Sequence, residues 1–240
     1  MNFNQVLNAF ALILLAPGVS TVVADEIGEF FQEAEEAYEM ELSVLDQQMI
    51  KLLDDREAIQ RANGNRKSVE SVKSERQNFT ETGELPGWAP IEQIAGRLET
   101  RGKVVTALER AIMAYTMNGQ DNKALEMETK RDLFHADSQL LMSFEHEVRN
   151  RRQQPTGSGV VKLYSNLTAE FQGMNVVGGK STWTLNKLVM EFHWDAPKTP
   201  NGFQIDRVRL SRDGKTYSGK NVTSDVGATV HGKRIGFETH

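Results

Sequence analysis

At Pro155-Thr-Gly-Ser-Gly159 the hydrophobic period of the chain changes: spacings of three, four and seven residues stop, and alternation of two begins. A helix gathers apolar residues onto one stripe with a period of 3.6, whereas a strand sends successive side chains to opposite faces. The two patterns cannot share one element. The expected fold class is therefore α+β and segregated: an N-terminal antiparallel helical bundle or coiled-coil hairpin, followed by a small antiparallel β-sheet or barrel. The expected boundaries are a helical region over 25–154, a linker over 155–159 and a β domain over 160–240.

Residues 1–24 read as a leader. Val6 to Ala16 is almost continuously apolar, and Pro17-Gly18 and Val22-Val23-Ala24 follow, a pattern that predicts signal-peptide cleavage after Ala24. The apolar run is shorter than the roughly 20 residues a membrane span needs. Met1 to Gln5 carries no Lys or Arg, a departure from the usual leader. Export to the periplasm or the medium is the expectation. The 240 residues include no cysteine, which excludes disulfides, thiol catalysis and cysteine lipidation.

Within the helical region, Phe31, Tyr38, Leu45, Leu52 and Ile59 recur every seven residues, with Leu42 and Met49 at the companion position. The segment from Asp25 to Asp46 holds nine acidic side chains and no basic one, which suits a helix N-terminus. Asn63-Gly64-Asn65 predicts a break, after which Val69, Val72 and Phe79 lead to a stop at Gly83. Glu84-Leu-Pro-Gly-Trp-Ala-Pro90 must be a bend, because two prolines remove backbone donors and restrict the residues before them. Ile91, Ile94, Leu98, Val105, Leu108, Ile112 and Tyr115 then form a seam interrupted only by Arg101. Asn118-Gly119 caps that helix, Asp121 starts the next, and Met127, Phe134, Leu141 and Val148 extend a seven-residue column with Phe144 beside it. None of these helices buries its stripe alone, so they pack on one another or on a second copy.

The run Phe79-x3-Gly83-x-Leu85-Pro86, then Leu108-Glu-Arg-Ala111-Ile112-x2-Tyr115-Thr-x2-Gly119-x4-Ala124-x3-Glu128, resembles a helical module of a functionally uncharacterised family of exported bacterial proteins. Ala111-x3-Tyr115-x3-Gly119-x4-Ala124 is also similar to the interior of one tetratricopeptide unit. The closing Asp213-Gly214, Tyr217-x-Gly219-x-Asn221 and Gly227-x2-Val230-x-Gly232-x-Arg234 resemble the end of small β-meander domains that follow such modules. What the resemblance implies is a small twisted sheet or barrel, and no activity.

In the strand region, Trp183 and Leu185 share a face, Asn186-Lys187 reads as a two-residue turn, and Leu188, Met190, Phe192 and Trp194 point inward. Val189, Glu191 and His193 then point outward. Phe203 and Ile205 are expected inward, and the phase shift to Val208 and Leu210 predicts a bulge near Asp206-Arg207. Asp213-Gly214 turns the chain again.

Few residues suggest chemistry. Gly173 to Ser181 has the residue types of a phosphate loop, but its first glycine lies five residues before Gly179-Lys180 and Ser181 opens a strand. Glu128, Asp132 and His135 share one helical face without a second ligand pair, and His146 is placed near the exposed end of a helix. No catalytic group, metal or cofactor is therefore assigned. Trp88, Glu191, His193 and Tyr217 are the candidate contact residues for a ligand or partner. Residues 25–154 carry 26 acidic and 17 basic side chains, and 155–240 carry 7 and 11. No dense basic stripe with interleaved aromatics appears, so a nucleic-acid partner is not expected. The architecture alone supports the expectation of a non-catalytic exported protein acting through protein contacts or self-association of its helices. The alternatives are a β domain that binds a carbohydrate or other small ligand, and an envelope hydrolase.

Overall fold

The structure is a computed structural model that describes residues 22–173, 181–196, 201–223 and 227–236. The fold is α+β and segregated, with four helices followed by eight strands among these residues. The helices are α1 (Val22–Ala62), α2 (Arg66–Thr82), α3 (Ile91–Met117) and α4 (Asp121–Ala136). Val22 to Ala24, the end of the expected leader, open α1, and the rest of that leader lies outside the described residues.

The helix ends follow the sequence closely. Gly64 takes φ 67° in the break after α1, and the Asn65 side chain caps α2 by accepting from the Ser68 amide at 3.1 Å. Gly83 ends α2 in the left-handed conformation, its N–H bonded to the Phe79 carbonyl at 2.8 Å. The seven-residue column of α1 is buried at Phe31 and half-buried at Tyr38, Leu45 and Leu52, but Ile59 is 57% exposed. An α-helix drifts by about 20° per heptad against a strict repeat, so Ile59, four heptads past Phe31, has turned roughly 80° off the stripe. Met49 and Leu53 occupy the stripe there, both fully buried.

Two compact units are present. Among the described residues, one comprises 22–39 and 102–133; the other comprises those of 40–101 and 134–236. In the first, Lys130 lies 5.1 Å over the Phe31 ring and Lys123 5.4 Å over Tyr115. The second unit is not purely β, as the expected division at 155 would make it. Its single core runs from Met49, Leu53, Val72, Phe79 and Trp88 into Leu141, Phe144, Trp183 and Phe192.

The strands are β1 (Leu140–Arg149), β2 (Pro155–Tyr164), β3 (Thr168–Gly173), β4 (Ser181–Asn186), β5 (Val189–Asp195), β6 (Phe203–Leu210), β7 (Thr216–Asn221) and β8 (Thr229–Arg234). They form a closed antiparallel barrel in sequence order, with β8 paired to β1. The strand region thus starts at 140, not 160. Leu141 and Val148 fit a seven-residue column by coincidence, because Met142, Phe144, His146 and Val148 alternate along a strand. The segment read as a linker is the first half of β2, and Pro155 occupies its first position, where a missing donor is tolerated.

The β4–β5 turn falls at Lys187-Leu188, one residue later than expected, with Lys187 at φ 56°. Trp183, Met190 and Phe192 are buried inside, and Trp194 is half-buried on the same face. The Asp213-Gly214 turn is as expected: Asp213 accepts from the Ser211 hydroxyl at 2.7 Å and the Lys215 amide at 3.1 Å.

Candidate functional site

Polar side chains are placed by the barrel in a layer inside its wall. Strand β1 carries His146 inward, β6 carries Asp206, and β7 carries Tyr217 and Asn221. His146 and Tyr217 are 4% and 2% exposed. The His146 Nδ1 and the Tyr217 hydroxyl share a hydrogen bond of 2.5 Å. Between β7 and β1 runs β8, where Gly232 stands opposite both residues. A Cβ at Gly232 would fall on the Tyr217 ring, so the missing side chain is what lets Tyr217 cross β8 to reach His146. On the other side of His146, Gly159 and Gly173 face each other, and the Phe171 ring lies against both.

Rings surround the imidazole. Phe171 meets it edge-on at 5.3 Å, Trp194 at 5.9 Å and Phe192 at 6.3 Å. Burial pushes the His146 pKa down to about 4, so the imidazole is neutral at pH 7. Asp206 is also buried, which pushes its carboxyl up; hydrogen bonds from Asn221 at 2.8 Å and the Trp194 indole at 2.6 Å oppose that shift. The Tyr217 phenol is raised well above its ordinary value by burial first and by the Asp206 charge second.

This layer answers one expectation with a correction. No bulge occurs near Asp206-Arg207, because the β5–β6 register runs unbroken from Val189↔Arg209 to Asp195↔Phe203. The inward phase is Asp206, Val208 and Leu210, and Phe203 points outward, 45% exposed. An inward carboxylate looks forbidden in sequence; the two donors that hold it here come from other strands. His146, placed by sequence near an exposed helix end, is likewise a buried strand residue.

The four candidate contact residues do not converge. Tyr217 lies in the layer just described. Trp88 is 8% exposed in the bend before α3, where its indole donates to Glu75 at 2.6 Å and Arg56 stacks 4.5 Å over the ring. Glu191 and His193 are on the outer wall, as alternation predicts. Glu191 accepts from Arg207 at 2.6 Å, which holds its carboxyl below the usual range, and His193 Nε2 lies 3.5 Å away. A groove of about 250 Å³ beside Trp88 is lined by Arg56, Gln60, Ser68, Ser71, Val72, Glu75 and Gly236. Both its charged groups already serve Trp88.

Among the described residues no group of three or more His, Asp and Glu is placed to hold a metal ion, and no helix is long and apolar enough to cross a membrane. Of the phosphate-loop segment, Gly173 ends β3 and Ser181 opens β4, and 174–180 lie outside the described residues.

Sequence reasoning missed His146, Asp206 and Asn221, and also Arg234, which is buried and donates to the Ala89 carbonyl at 2.8 Å. One signal was available. Gly159, Gly173, Gly219 and Gly232 all sit at inward positions, and glycines on the inner phase of successive strands mark where rings and long side chains need room.

Comparison of the chain with family models, with characterised proteins and with solved structures finds no match. The resemblance of the helical module to an exported family therefore rests on its motif residues alone.

Proposed function

We propose that this is a non-catalytic exported protein that works through contacts made on its outer surfaces, with the barrel as a rigid platform. The observation that carries this reading is the filled barrel. An eight-stranded barrel is wide enough either to be packed by side chains or to hold one small ligand. Here Phe144, Val161, Leu163, Trp183, Met190, Phe192 and Val230 fill it, each fully buried. Its polar layer is satisfied internally, with Asp206 held by Trp194 and Asn221, and His146 by Tyr217. A general base needs access to a substrate proton, and a buried neutral imidazole bonded to a phenol does not offer it.

The test is in-cell cross-linking of the tagged full chain, with fractionation of the envelope. Specific adducts in the exported fraction are expected. Retention in the cytoplasm, or an exported protein without adducts, overturns the reading.

One observation favours a second reading. Phe171 and Trp194 are half-buried and meet edge-to-face at 6.0 Å beside His146, an aromatic pair of the kind that receives a sugar or a flat apolar molecule. Saturable quenching of tryptophan fluorescence by a glycan, abolished in Trp194→Leu, would support it; a flat titration would remove it.

A further inference from the structure

The barrel wall carries a basic field outside β6, β7 and β8. Outward alternation places Arg207 and Arg209 on β6, Lys220 on β7 and Lys233 on β8, all exposed. Arg207 stands directly across from Lys220, a like-charge pairing that costs stability unless something offsets it. Arg207 is ion-paired to Glu191 at one margin, and Glu145 stands across from Lys233 at the other. Among the described residues Arg209, Lys220 and Lys233 form no ion pair.

The opposite field is on α1. From Val22 to Ile50 the chain has no Lys or Arg. Glu29, Glu33 and Glu36, at i, i+4 and i+7, form one exposed ridge on the side of the helix away from buried Ile27 and Phe31. These carboxylates span about 10 Å along the helix axis. On the wall, Arg207 and Arg209 are about 7 Å apart along β6, and each strand adds about 4.8 Å across. The two patches match in length and oppose in sign, and Glu29 and Glu33 too form no ion pair among the described residues.

We infer that the partner of the basic barrel wall is the acidic α1 ridge of a second copy of this chain. This inference rests on the contact-protein reading above and names its partner. Such a contact joins different surfaces on the two copies, so it propagates unless the rotation closes a ring.

The test is light-scattering mass of the full chain at ~0.2 mM, since exposed ion pairs are individually weak. At about 0.02 M salt, where screening is slight, the mass should be at least twice that of the monomer; at about 0.5 M it should fall to the monomer. Arg209→Glu with Lys220→Glu should abolish association at low salt, and so should Glu33→Lys with Glu36→Lys. Combining all four should restore it. Circular dichroism confirms that each variant is folded, and Arg209→Gln with Lys220→Gln, a milder change, should lower the mass without raising it at any salt. A monomer at low salt, or association indifferent to either reversal, overturns the inference. A monomeric chain that still forms cross-linked adducts in cells removes only this partner; one that forms none removes the contact reading as well.

Discussion

At the scale of single residues, the barrel interior is decided by what glycine omits and what a few polar groups share. His146 is neutral in the fold, with its pKa down at about 4 from an ordinary 6.5. The unfolded chain therefore binds more protons between those values, and stability is full above about pH 6.5 and falls as pH drops toward 4. The loss is on the order of 3 kcal/mol. Asp206, raised by burial, acts in the other sense, gaining stability as pH falls through its folded value. In thermal melts from pH 7 to 4.5, His146→Gln should flatten the decline relative to the parent chain; parallel declines would refute the assignment. At Gly232 the steric argument gives a second expectation. Gly232→Ala should cost about 2 kcal/mol or more by displacing the Tyr217 ring, and much of that cost should vanish in a Tyr217→Leu background, a coupling that urea titrations of the four-member cycle measure.

At the scale of elements, the sequence was most informative where a local rule is obligatory. The Asn63–Asn65 break, the Gly83 cap and the Pro86–Pro90 bend are all where backbone chemistry puts them. It misled where a pattern has two readings. Leu141 and Val148 continue a helical column and also lie on a strand, and only pairing with β2 and β8 selects the strand. The inward Asp206 was unreadable for a related reason, since its partners Trp194 and Asn221 are 12 and 15 residues away on different strands. On α3, the polar residues Gln93, Arg97 and Thr100 are buried against Gln48, Asp46 and Glu41 of α1. These cross-pairs run in antiparallel order and fix the register of the two helices, which an apolar seam alone leaves free to slide. The drift of the α1 stripe makes a contrast that chemical denaturation can check. Leu53→Ala should lose about 3 kcal/mol, and Ile59→Ala should change stability by no more than about 0.5. Equal losses would mean that the heptad column is buried to its end.

At the scale of the whole molecule, the expected boundary at 155 gave way because the inner part of the helical hairpin and the barrel share one core. The bend is pinned to the barrel: a Cβ at Gly87 would meet the Ile235 carbonyl at 2.7 Å, and Arg234 bonds the Ala89 carbonyl. The barrel is not uniformly knit. Among the described residues β3 and β4 share only the pairs Thr168↔Thr182 and Ala169↔Ser181, whereas β5 and β6 share seven. Hydrogen exchange should accordingly find the amides of β3 and β4 the first of the barrel to exchange and those of β5 and β6 among the last; the reverse order would exclude opening at this seam.

The pairing of β8 with β1 also sets an order of events during synthesis. On the ribosome β1 emerges about 80 residues before the strand that closes it, an interval of roughly 4–16 s at about 5–20 residues per second. Throughout that time one edge of β1 has no native neighbour, and Leu141, Met142 and Phe144 wait beside it. The nascent chain is most exposed to mispairing then, and the arrival of β8 beside β1 ends the danger.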